Sequence, residues 1–183
     1  MQSKLTKQMV MTAALLALTL VFQNLRLLPM DATVSSYLIG SLVNLCLILA
    51  VCLIGLWSGL TISVAAPLVA LMQGYAKLPL VPYIIAGNAV LVLLYYFVAV
   101  ADWRKADKLR MLPFGIAGIL TAGVKFVIIA VGTALMIATQ KGAPFSVTLS
   151  VGATQQIQQI VTALIAMVVA YLILPRIKKA AKL

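Results

Sequence analysis

The chain is a succession of long apolar stretches, each closed by glycine, proline or a cluster of Lys and Arg, and that pattern leaves it few ways to fold. A helix that crosses a bilayer needs about 20 largely apolar residues, since only a backbone that bonds within itself is tolerated in lipid. The 183 residues therefore hold about six spans with short connections and leave no room for a soluble domain. Composition agrees, with 64% hydrophobic residues, 9% charged residues and a mean hydropathy of +1.15, outside the range of soluble domains. The expected fold is an all-α membrane protein, a bundle of six transmembrane helices forming one domain over residues 1–183. Any catalytic or motor domain is then expected on a separate polypeptide.

The spans are expected at residues 6–27, 37–56, 60–75, 82–101, 112–139 and 148–174. Pro29 and Asp31 open a polar connection through Thr33, Ser35 and Ser36, and Gly55 to Gly59 reads as a tight turn with Trp57 at a membrane interface. Pro67 predicts a kink in the third span, and Pro175 with a basic tail ends the sixth. The apolar run from Met9 to Leu28 exceeds a signal-peptide core and lacks a small-x-small cleavage site, so it is expected to be retained.

The net charge of +11 is not a nucleic-acid signal, because the basic residues sit at the ends of apolar runs. Lys4, Lys7, Arg104, Lys105, Lys108, Arg110, Arg176, Lys178, Lys179 and Lys182 fall on one side, against Arg26, Lys77 and Lys141 on the other. Cytoplasmic connections are the ones rich in Lys and Arg, so both termini are expected in the cytoplasm. An odd number of spans would split the two basic termini. The cell membrane of a bacterium is the expected location.

Polar residues within spans need partners or a watery cavity. At about 1.5 Å per residue, Asn44 and Asn88 lie about 10 Å below the outer surface. Gln155, Gln156 and Gln159 on the sixth span, with Gln158, reach a comparable depth, and two faces pair Gln155 or Gln156 with Gln159. Lys125 falls near the middle of the fifth span, where an ionisable residue faces the bundle interior or a cavity. Together they describe an outward-facing pocket of neutral amides and one cation, with Tyr37, Gln73 and Tyr75 near its mouth. The plainer alternative makes Lys125 a snorkelling residue and the amides interhelical glue.

The chemistry that is missing excludes much. The acids are Asp31, Asp102 and Asp107, there is no Glu and no His, and no expected span contains an acid. Proton-coupled carriage, carboxylate metal sites and the usual nucleophile–base pairs are therefore not expected, and an enzyme is not expected either. No P-loop motif is present. Cys46 and Cys52, six apart in one apolar run, read as packing residues, and no metal or other cofactor is expected.

Ala13 and Ala17 in the first span form a small-x-x-x-small stripe that lets another helix approach closely. With the length, the six spans, the cytoplasmic termini and the outward pocket, the chain resembles the substrate-binding S component of energy-coupling factor (ECF) transporters. The resemblance implies capture of a vitamin or precursor from outside and delivery through an ATP-driven module of one transmembrane coupling subunit and two ATPase subunits. By the same resemblance Ala13 and Ala17 dock on the coupling subunit, and residues 28–36 act as a lid. No motif matches the biotin, thiamine, riboflavin or metal-ion members. Pantothenate, a pyridoxine- or hydroxymethylpyrimidine-like ring, folate and cobalamin stay open.

Two other readings compete. A self-sufficient facilitator or channel would need polar residues along a whole path, whereas here they crowd the outer half. A structural subunit of a larger complex would make the amides glue and bind no ligand.

Overall fold

The computed structural model describes residues 2–27, 29, 31–106 and 109–180, which are almost wholly helical and contain no strand. Helix α1 covers Gln2–Asn24 and ends in a 3₁₀ turn, Leu25–Leu27. Helix α2 covers Ala32–Leu49 and continues as a π-helical stretch, Ala50–Ile54. Helix α3 covers Leu56–Met72. Helix α4, Val81–Leu94, continues through a π-helical stretch, Tyr95–Val100, into α5, Ala101–Ala106. Helix α6 covers Met111–Lys141, and α7, Phe145–Gln156, is followed by α8, Gln158–Ala180.

Five of the resulting segments are long and apolar enough to cross a membrane: Leu5–Asn24, Ala32–Ile54, Leu78–Trp103, Met111–Lys141 and Phe145–Ala180. α3 is a shorter apolar helix of 17 residues. Large apolar side chains point outward all around the bundle, among them Met9, Val21, Phe97, Ile119 and Leu172. A helix face of this kind is costly in water and at home in lipid.

Several boundaries differ from expectation for identifiable reasons. α2 starts at Ala32, not Tyr37, because the Asp31 carboxylate accepts hydrogen bonds from the Thr33 and Val34 backbone N–H groups at 2.8 and 3.2 Å, a side-chain N-cap. Thr33, Ser35 and Ser36 are thus helical rather than a polar connection, and of the expected lid only Pro29 and Asp31 are described outside that helix, since Leu28 and Met30 lie outside the described residues. Gly55, at φ 140°, forms the turn after α2 alone, and Leu56 to Gly59 already belong to α3. The last helix runs through Pro175 to Ala180, where Leu174 is fully buried, Ile177 packs on the core and Lys178 lies 4.7 Å from the Trp103 ring centroid. Those contacts offset the one backbone bond that Pro175 cannot make. Asp107, Lys108 and Lys182 of the charged segments lie outside the described residues.

The apolar core occupies one end of the bundle. Leu47 and Ile48 of α2, Leu91 of α4, Tyr95, Phe114 of α6 and Leu174 of α8 are all at most 1% exposed there. The Tyr95 and Phe114 rings meet edge to face at 5.0 Å. The two π-helical stretches pack against each other in the same region. At the other end the helix halves carry polar side chains, and between them lies a cavity.

Candidate functional site

Asn44 on α2, Asn88 on α4 and Lys125 on α6 are each buried, at 1%, 2% and 4% exposure. Lys125 Nζ donates to Asn44 Oδ1 at 2.5 Å and to Asn88 Oδ1 at 2.8 Å. α4 and α6 can approach closely here because Gly87 has no side chain: a β-carbon there would lie 3.0 Å from Lys125 Cγ. Asn44 Nδ2 donates onward to Thr162 Oγ1 on α8 at 3.3 Å. Asn44 is therefore fixed with its oxygen toward the lysine, and both amide oxygens face the ammonium.

A buried ammonium costs several kcal/mol unless it is paired or well hydrogen-bonded. Two amide oxygens meet part of that cost. No carboxylate of the described residues meets the rest, since Asp31 caps α2 and Asp102 pairs with Arg110 at 3.1 Å. Lys125 has no third acceptor among the described residues.

Lys125, Asn44 and Asn88 line a cavity of about 150 Å³. Gln159, at the start of α8, closes another side of it. Gln159 Nε2 donates to Gln156 Oε1 at 3.3 Å, and Gln156 Nε2 donates to Thr133 Oγ1 of α6 at 3.1 Å. Gln156 is buried behind the wall and positions Gln159 rather than lining the cavity.

Gln155 is exposed and is not brought into the cavity. A shared face for Gln155 and Gln159 presupposes an unbroken helix, and α7 and α8 are interrupted at Ile157. Of the residues expected at the mouth, Tyr75 lines the cavity. Tyr37 is half-buried and off the wall, while Gln73 reaches Asn24 Oδ1 at 3.3 Å.

Two polar wall residues, Gln23 and Arg26, were not singled out as site residues by sequence reasoning. The Arg26 guanidinium lies 5.1 Å from the Tyr75 ring centroid, and both groups face the cavity. Gln23, 6% exposed, donates to the Ala66 carbonyl on α3 at 3.0 Å, while its own Oε1 is buried with no partner among the described residues. The available signal was the Gln23–Asn24 pair at the end of an otherwise apolar span.

Ala13 and Ala17 are both exposed on α1. Ala13 lines a shallow groove between α1 and α3 together with Met9, Leu16 and Trp57. Among the described residues no group of three or more His, Cys, Asp or Glu could hold a metal ion.

Fold and site together define a bundle of apolar helices with a cation-centred, amide-walled cavity at one end. Comparison with protein-family models, with curated proteins and with solved structures gives no match.

Proposed function

We propose that the chain is the substrate-capture S subunit of an ECF-type importer in a bacterial cell membrane, with six spans and both termini in the cytoplasm. It takes up a small water-soluble vitamin or precursor from outside and passes it through a coupling subunit driven by two ATPase subunits. The observation that carries the reading is the Lys125 ammonium, buried against Asn44 and Asn88 on a cavity wall with no counter-ion beside it among the described residues. A site so built is incomplete without a ligand. The cavity backs onto the apolar core formed around Tyr95 and Phe114. That favours a pocket with a closed floor over a facilitator's continuous polar path.

The exposed Ala13 and Ala17 supply the docking face for the coupling subunit, because small residues let a partner helix pack closely within lipid. The experiment is purification in detergent from the native membrane, with thermal stability measured against a vitamin panel. A stabilising vitamin together with co-purifying ATPase subunits is the expected result. The paired substitution Ala13→Trp and Ala17→Trp should abolish uptake and leave binding to the isolated protein intact. Absence of both ligand and partners would overturn the proposal.

A further inference from the structure

The walls of the cavity restrict what can fill it, and the restriction sharpens the capture reading, on which it rests. Lys125 and Arg26 both line the cavity, and among the described residues no Asp or Glu does. An ammonium has three N–H donors, and Asn44 and Asn88 accept two of those of Lys125. The remaining donor and the uncompensated charge both call for an anionic oxygen. A cationic ligand would meet two like charges in a region of low dielectric, where repulsion is strong.

A second and independent feature lies on the α1 wall. Gln23 is anchored by its own N–H to the Ala66 carbonyl, so its amide is not free to turn, and its Oε1 is buried without a donor among the described residues. A buried acceptor left unpaired has lost its water without gaining a donor in exchange. It calls for a ligand N–H or O–H.

Size completes the picture. A cavity of about 150 Å³ is comparable with engineered protein cavities of roughly 150 Å³ that admit a benzene-sized ring. Folate and corrinoids are far larger. We infer that the cavity between Lys125 and Gln23 takes an anion about one six-membered ring in size, its carboxylate or equivalent on Lys125 and an N–H or O–H donor on Gln23.

The test is ligand-induced thermal stabilisation and competition binding on the purified full chain. The probes are 4-hydroxybenzoate and pyrrole-2-carboxylate as donor-bearing acids, benzoate as an acid without a donor, methyl 4-hydroxybenzoate as the neutral analogue and benzylamine as the cation. The donor-bearing acids are expected to bind, benzoate about tenfold more weakly, as one lost hydrogen bond of about 1.4 kcal/mol implies, and the ester and amine not at all. Lys125→Met should abolish binding of both classes of acid. Gln23→Leu, a milder change that keeps the bulk, should reduce the donor-bearing acids to the level of benzoate and leave benzoate unchanged. Binding of the ester or the amine as tight as that of the acids would overturn the inference and leave the capture reading standing. Failure of every acid would overturn it as well, and purification with the vitamin panel then shows whether the capture reading falls with it: a stabilising vitamin of another class preserves that reading, and absence of both a stabilising vitamin and co-purifying ATPase subunits refutes both.

Discussion

Gly87 and Lys125 face each other across the contact of α4 with α6 so closely that a β-carbon on residue 87 would lie 3.0 Å from the lysine Cγ and 3.3 Å from Ile129 Cδ1. The glycine thus sets the path of the lysine stem, and the neighbouring Asn88 then meets its Nζ. Gly87→Ala should displace the ammonium from the two amides by a few tenths of an ångström. The expected cost is about 1–3 kcal/mol of stability, typical of overpacking. Melting curves with and without ligand check it: ligand stabilisation should fall by more than the apo melting temperature does. An unchanged response to ligand would mean that the site tolerates the shift.

The lysine and its amides form a unit whose parts should not contribute additively. Asn44→Leu leaves a buried ammonium with one acceptor and should destabilise by about 3–5 kcal/mol, as when a buried charge loses a partner. In a Lys125→Met background the same change removes an amide that no longer faces a charge, and it should cost far less. A double-mutant cycle by denaturation in detergent is expected to give a coupling of about 1–3 kcal/mol. Additive effects would show that the 2.5 Å contact between Lys125 and Asn44 contributes little.

The glutamines around the break at Ile157 should separate sharply. Gln156 is buried, donates to Thr133 and accepts from Gln159, so Gln156→Ala leaves polar groups unpaired and should cost about 1–3 kcal/mol. Gln155 is exposed, and Gln155→Ala should fall within about 0.5 kcal/mol of the parent. Ligand affinity should follow the same order, since Gln156 holds the cavity residue Gln159. Equal effects at both positions would contradict the burial of Gln156 and the exposure of Gln155.

How far the cavity was legible in the sequence follows from how regular each helix is. Asn44, Asn88 and Lys125 could be brought to one depth by counting residues, because a fixed rise per residue holds along α2, α4 and α6 up to those positions. The same counting failed for Gln155, since a face defined by i and i+4 is lost where the ladder of backbone bonds breaks. Gln23 and Arg26 read as the end of a span and the start of a connection, and only the packing of α1 against α3, through the bond from Gln23 to the Ala66 carbonyl, turns them into cavity walls. Pro175 illustrates the opposite error: its local preference ends a helix, and burial of Leu174 with the approach of Lys178 to Trp103 overrides it. The orphaned Gln23 Oε1 could not have been read from sequence at all, because it depends on which end of one amide is already bonded.

The start of α2 provides a test outside the lipid-embedded region. The backbone N–H groups of Val34 and then Thr33 hold the Asp31 carboxyl below its ordinary value of 3.8, because they bond to its charged form. In the unfolded chain that carboxyl has its ordinary affinity for protons. As pH falls, the unfolded state therefore takes up the proton first, and the stabilisation by the cap, complete above the ordinary value, is lost as pH drops through the lowered one. Asp31→Ala should lower the melting temperature at neutral pH, and the difference from the parent should shrink toward zero in acid. Asp31→Asn, whose side-chain oxygen can still accept from the same N–H groups, should retain most of the neutral-pH stability and show no such pH dependence. Melting temperatures of the three proteins across neutral to acid pH in detergent check this. A deficit for Asp31→Ala that stays constant throughout would mean that the carboxylate's charge does not stabilise the helix start.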